Sequence, residues 1–273
     1  MKRISWIYRI SCTMLLLMTV VSLAAPLLAP YDPLIPDLDA VKEPPSLRHF
    51  MGTDDRGRDV FSRVIIGGQF SISLGIFSTA CALLIGIVMG FFSGYFGGWI
   101  DSMVGLLINI TLAFPALLLA IALSSAMRPG YVSIFITLVS IGWAGFARLM
   151  RGETMKLRSS PHVEAARVLG ADVWYIFYRH ILPLCSGILI TAVTLRIGVA
   201  ILMESSLSFL GLGVQPPLPT WGGMVSQGRD FFRSAPWMTL FPGAVITLTI
   251  LALNIVGEGY RNKYAQKSVS KVK

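Results

Sequence analysis

The chain has 273 residues, of which 54% are hydrophobic and 14% are charged, and its formal net charge is +9. A soluble domain carries about 25% charged residues, so the composition argues against a soluble globular protein. The net positive charge does not indicate a nucleic-acid partner, because the basic residues flank apolar blocks and do not form one stripe.

Long charge-free blocks predict transmembrane helices. They cover 71–100, 102–127, 129–147 and 235–257, and each can supply the roughly 20 apolar residues that cross a bilayer as a helix. We predict an all-α integral membrane protein with about six transmembrane helices. Their approximate bounds are 10–29, 72–96, 102–126, 131–149, 187–207 and 237–257.

The first apolar block follows Lys2, Arg3 and Arg9 and could be a signal peptide. Its length exceeds the 7–15 residues typical of a signal core, so a retained anchor is favoured. Lys and Arg are concentrated before the first block, between 148 and 179, and after 260. The positive-inside rule therefore predicts that both termini face the cytoplasm.

These predictions divide the chain into four parts. Residues 1–29 form an N-terminal tail and the first transmembrane helix, and residues 30–70 form an extracytoplasmic loop. Residues 71–263 form a five-helix transmembrane core with a cytoplasmic loop over 150–186. Residues 264–273 form a basic cytoplasmic tail.

The extracytoplasmic loop carries a cluster of alternating charges. Its members are Asp54, Asp55, Arg56, Arg58 and Asp59. They could form ion pairs within a compact loop, which we favour, or they could contact a soluble partner protein.

A stripe of small residues marks the second predicted helix. Its members, spaced by four, are Ser78, Ala82, Gly86, Gly90 and Gly94. Residues at this spacing share one helix face, and small side chains let two helix backbones approach closely in lipid. We favour a contact within the chain, and a contact with a second subunit is the alternative.

The cytoplasmic loop 150–186 contains helix start and stop signals. Ser160 can cap a helix that begins at Pro161, and Gly170 can end it in a left-handed conformation. Asp172 can cap a second short helix, which Pro183 is expected to stop. The pattern predicts two short helices joined by a tight turn.

Two ionisable residues, Arg196 and Glu204, fall within the fifth predicted transmembrane helix. Intramembrane charges are energetically unfavourable and usually face a partner or a water-filled path. Both residues are candidates for a translocation path, and ion pairing inside a complex is an equal alternative.

The same cytoplasmic loop resembles the EAA loop of ABC-importer permeases. The resemblance rests on Glu164-Ala165-Ala166, Gly170 and Leu182-Pro183 at the family spacing, and the sequence departs from the motif where His180 replaces isoleucine. In that family the loop docks on the ATP-binding subunit. The resemblance implies this coupling role for Glu164, Ala165, Ala166, Gly170, His180, Leu182 and Pro183.

Further stretches resemble the second permease subunit of the dipeptide, oligopeptide and nickel importers. They are 29–33, 52–63, 207–213, Pro216-Pro217 and Trp221-Gly222. The resemblance implies the type I ABC-importer permease fold, the bacterial inner membrane, a second and different permease subunit, two ATP-binding subunits and an extracytoplasmic binding protein. That binding protein would be the soluble partner of the 54–59 cluster.

The resulting expectation is a non-catalytic permease subunit that imports di- and oligopeptides. A nickel or metal-chelate importer is the alternative substrate class, and a passive channel is an alternative from another class. An intramembrane enzyme is not supported, since Arg196 and Glu204 do not provide a nucleophile and base. We assign no catalytic residue, metal ligand or cofactor to this chain, and we expect ATP and magnesium on partner subunits.

Overall fold

The computed structural model describes the backbone of residues 2–270 and the side chains of residues 6–261. Side chains at both basic termini, including those predicted to form the 264–273 tail, lie outside the described residues. The described backbone forms eleven α-helices: α1 (Lys2–Leu23), α2 (Ala25–Leu28), α3 (Val60–Phe96), α4 (Gly98–Ala113), α5 (Ala116–Ser125), α6 (Tyr131–Leu157), α7 (Pro161–Val168), α8 (Val173–Ile176), α9 (Leu182–Phe209), α10 (Trp221–Arg229) and α11 (Trp237–Ser270).

Five stretches of the described chain are long and apolar enough to cross a membrane, namely α1, α3, α6, the run α8–α9 and α11. The pair α4–α5 makes a sixth if it is counted as one bent span. This matches the predicted number of about six. Near the ends of the bundle, Gly259 of α11 packs directly on the ring of Tyr8 in α1, so the two terminal helices share one end.

The third predicted span is not the continuous helix that the sequence suggested. It is broken between α4 and α5, which meet at an angle of 92°. Pro115 lacks a backbone N–H and disfavours helical geometry in the residue before it. Phe114 accordingly has extended torsion angles, φ −86° and ψ 142°.

The second span begins much earlier than predicted. Helix α3 starts at Val60 rather than near Ile72, and the carboxylate of Asp59 caps it by accepting from the backbone N–H of Ser62 at 2.7 Å. The sequence places this start too late, because charged residues such as Arg63 are typical of a loop.

The small-residue stripe of α3 lies against α6. A Cβ atom on Gly90 would come within 2.5 Å of the Ala147 carbonyl oxygen, and one on Gly94 within 2.7 Å of the Arg151 carbonyl oxygen. The backbones are therefore in direct contact at these positions. The favoured prediction, a contact within the chain, is confirmed.

Candidate functional site

Helix α7 forms the first part of the cytoplasmic loop. Ser160 occupies the predicted cap position, but its hydroxyl donates to the carbonyl oxygen of Leu157 and caps no N–H of α7. Pro161 is the first helical residue, and Gly170 has a φ of +78°. The start and the left-handed end of this helix are as predicted.

The second half of the loop differs from the prediction. Asp172 caps α8 by accepting from the backbone N–H of Trp174 at 3.0 Å, but Pro183 does not stop the helix. The chain continues through a π-turn over Phe177–Ile181 into α9, giving one uninterrupted apolar stretch, Val173–Phe209. Pro183 is tolerated directly after the π-turn, where the Leu182 N–H bonds five residues back to the Phe177 carbonyl oxygen and the α-helical hydrogen-bond pattern is interrupted.

The π-turn also decides which side chain of the EAA-like motif faces the core. A π-turn has i→i+5 hydrogen bonds, so it accommodates an extra residue in the helix. Ile181 is fully buried, in a cluster that includes Ile176 and Phe177. His180 is only partly buried, with its ring 5.7 Å from that of Tyr175. The isoleucine that the motif lacks at 180 is thus supplied one residue later.

One face of α7 anchors the loop to the bundle. Val163 and Ala166 are buried in the same cluster as Phe91 and Met150, which belong to α3 and α6. The guanidinium of Arg167 lies 5.3 Å from the ring centre of Tyr95 in α3. Helix α7 is therefore in direct contact with two membrane-spanning helices.

The opposite face of α7 is free. Glu164 and Ala165 are exposed, and Val168 and Leu169 are each 86% exposed. Two apolar side chains presented beside a carboxylate and small residues form a compact surface suited to a protein contact. Of the seven residues assigned to coupling, Glu164, Ala165 and Gly170 lie on this exposed surface, and Ala166 faces the core.

An ion pair holds the cytoplasmic ends of α4 and α6 together beside this loop. Arg151 donates to both carboxylate oxygens of Asp101, with 2.7 Å between Nη2 and Oδ2, and Ser93 of α3 donates to Oδ1. Sequence reasoning missed this group. Its signal was Asp101 itself, the one charge that separates two apolar blocks.

The charged cluster of the outer loop is largely internal. Arg58 Nε lies 2.7 Å from Asp54 Oδ2, and Arg63 Nε lies 3.5 Å from the same oxygen. Asp59 contacts His49 Nδ1 at 2.9 Å. Within the cluster predicted from sequence, Asp54, Arg58 and Asp59 are buried, Asp55 is partly buried, and only Arg56 is exposed. Arg63 and His49 were not predicted, because the fold of the loop, and not a helix or strand spacing, brings them to Asp54 and Asp59.

The two intramembrane charges do not contact each other and have different environments. Glu204 is fully buried and accepts hydrogen bonds from Ser208 at 2.8 Å and Ser71 at 3.3 Å. Arg196 is partly buried and has no hydrogen-bond or ion-pair partner among the described residues. Of these two side chains, only Arg196 has no polar partner among the described residues.

The bundle of apolar helices and the anchored cytoplasmic loop together define a class, the membrane-spanning subunit of a type I ABC importer. The chain belongs to the family described as binding-protein-dependent transport system inner membrane component, whose model matches residues 82–267. It is therefore a multi-pass inner-membrane transport protein, and the family consists of transport subunits rather than enzymes.

Similar proteins support the same family. The chain is 39% identical over 248 residues to the glutathione transport system permease protein GsiD of Pectobacterium atrosepticum, covering 90% of this chain and 82% of that protein. It is 40% identical, with the same coverage, to GsiD of Escherichia coli O1:K1. Inward-facing structures of the MetNI methionine ABC transporter match with TM-scores of 0.60 and 0.61 at 15% and 16% identity, covering 74% of this chain and 95% and 96% of theirs. That likeness concerns the fold.

Proposed function

We propose that this chain is one of two different permease subunits in an ATP-driven importer of short peptides. Two ATP-binding subunits carry ATP and magnesium on the cytoplasmic side, and an extracytoplasmic binding protein delivers the substrate. Both chain termini are on the cytoplasmic side. Glutathione is a candidate substrate because it is a tripeptide and the relatives GsiD are named as glutathione permeases.

The exposed face of α7 carries the proposal. Its apolar tip, Val168 and Leu169, is surrounded by small or charged residues and fits a groove on a partner protein. Its buried face contacts α3 and α6. Closure of the ATP-binding subunits would move α7, and α7 would pass the movement to these membrane-spanning helices, which gives alternating access.

Coupling is tested with Glu164→Lys in the complete transporter. The change reverses a charge on the exposed face of α7 and leaves Val163 and Ala166 in the core. We expect the ATP-binding subunits to be lost from the purified complex while the permease pair remains intact. Glu258→Lys, at an exposed position near the cytoplasmic end of α11, is the matched control. Recovery of ATP-binding subunits at the wild-type level in Glu164→Lys would refute the coupling assignment.

Substrate class is tested by uptake in cells that lack this chain. Labelled alanyl-alanine, labelled glutathione and radioactive nickel at trace concentration are compared with and without the restored gene. Loss of uptake of alanyl-alanine or of glutathione, with nickel uptake unchanged, supports the proposal. Loss of nickel uptake alone would replace it with a metal-chelate importer and leave the coupling argument unchanged.

A further inference from the structure

The surroundings of Arg196 do not balance its positive charge. It lies in the middle of α9, a helix of the membrane-spanning bundle, where a guanidinium without a counter-charge is energetically unfavourable. Among the described residues it has no acidic partner, and Glu204 on the same helix is bonded to serine hydroxyls instead. A charge kept in this position needs an anion that the described residues do not supply.

A second polar group is unpaired at the same place. Thr79 of α3 is 2% exposed, and its hydroxyl has no hydrogen-bond partner. Buried hydroxyls are usually paired, and an unpaired one in a native structure requires an explanation. Thr79 and Arg196 line one cavity of about 10 Å³, together with Ser78, Ile141 and Val199.

The cavity is open on one side. Its volume admits about one water molecule, but Arg196 is partly exposed and the adjacent Val199 is 45% exposed. A guanidinium does not face lipid when another partner exists. The side of α9 that carries Val199 and Arg196 is therefore turned towards water or another polar group.

The helix opposite Arg196 is closely packed in this conformation. A Cβ atom on Gly142 of α6 would lie 3.4 Å from Arg196 Nη2 and 2.8 Å from Ala82 Cβ, so the guanidinium lies directly against the backbone of α6. A guanidinium fork matches the two oxygens of a carboxylate, and a threonine hydroxyl can donate a third hydrogen bond. The unpaired donors therefore fit a carboxylate better than they fit a neutral group.

We propose that Arg196 and Thr79 bind the C-terminal carboxylate of the peptide as it passes along α9. The inference rests on the proposed peptide import. In the present conformation the cavity is too small for a carboxylate. The peptide carboxylate therefore approaches from the open side beside Val199 and enters when α6 and α9 separate. The site selects substrates with a free carboxylate at a point after release from the binding protein.

The first test compares uptake of alanyl-alanine and of its C-terminal amide by the reconstituted complete transporter. We expect Arg196→Gln to lower uptake of the free acid at least about ten-fold, in line with loss of a charge-assisted contact. The same change should leave amide uptake within about two-fold, so the ratio of acid to amide falls. Thr79→Val should lower the ratio by about three-fold, and Arg196→Lys should keep part of it. An equal loss for both peptides, or no loss, would overturn the proposal.

The second test does not depend on the substrate. Val199→Cys is treated, during ATP turnover, with anionic and cationic methanethiosulfonate reagents, and the unsubstituted chain provides the background of Cys12, Cys81 and Cys185. We expect faster reaction with the anionic reagent, and loss of that preference when Arg196→Gln is added. No labelling by either reagent would show that this face is not in an aqueous path.

Two further outcomes separate the possible failures. If Arg196→Gln releases the second permease subunit from the complex, then Arg196 pairs with an acidic residue of that subunit and the proposal is wrong. If the wild-type transporter takes up neither peptide but Val199→Cys still reacts preferentially with the anionic reagent, the peptide assignment fails and the anion site remains.

Discussion

The two ends of this molecule are held together by different interactions. At the cytoplasmic end, glycines of α3 bring its backbone against α6, and apolar side chains anchor α7. At the outer end, the loop before α3 is organised by buried charges, with Asp54 between Arg58 and Arg63 and Asp59 against His49. Close packing of apolar side chains and glycines needs no pairing of polar groups, and it lets the helices move together as one rigid body. A buried charge network instead fixes one conformation, which lasts as long as every member of the network is present.

The largest effect is expected at the outer end, from Asp54→Asn. The change keeps the shape of the side chain but leaves Arg58 and Arg63 buried without their shared carboxylate. Breaking a buried pair destabilises by about 3–5 kcal/mol. We expect a large fall in the apparent melting temperature of the purified complex.

Asp230→Asn provides the matched control for that experiment. Asp230 pairs with Arg229 at 3.2 Å, but both side chains are more than half exposed, and exposed pairs contribute little. Similar melting temperatures for the two variants would show that the buried charges around Asp54 do not stabilise the loop before α3.

A comparison of Ile181→Ala with His180→Ala tests the apolar packing that anchors α7 to α3 and α6. Ile181 is fully buried in the cluster beneath α7, so its truncation should destabilise by about 2–5 kcal/mol. His180 is partly buried and should have a much smaller effect. The measurement is the melting temperature together with retention of the ATP-binding subunits. A larger effect at His180 would mean that the π-turn does not set the register described here.

The smallest of these effects is expected at the helix contact, from Gly90→Ala. Its new Cβ atom would lie 2.5 Å from the Ala147 carbonyl oxygen, so α3 and α6 must separate slightly. Overpacking of this kind destabilises by about 1–3 kcal/mol. Gly145→Ala on α6 is the control, since nothing lies within 4 Å of its added Cβ. Equal thermal stability of the two variants would contradict direct backbone contact at Gly90.

Several features could be predicted because their cause is local in the sequence. Charge-free blocks of sufficient length predict membrane-spanning helices whatever their partners are. A four-residue spacing of small side chains predicts a close helix contact, and Gly170 predicts a left-handed turn, because both depend on neighbouring residues alone. The break at Pro115 was also a local signal, and it was overlooked inside an apolar block.

Other features depend on residues that are distant along the chain. Whether Arg196 has a partner is decided by how helices pack, and whether Asp54 faces solvent or Arg63 is decided by how the loop before α3 folds. The same is true of the π-turn, which is stabilised by the burial of Ile181 in a cluster formed by α3, α6 and α7. The sequence by itself therefore determined the class of membrane protein, the approximate spans and the short helix that ends at Gly170, because hydrophobic length and turn chemistry act locally. Only the tertiary structure decided which charges are satisfied and which remain free, because pairing of a buried charge requires side chains that the fold brings together.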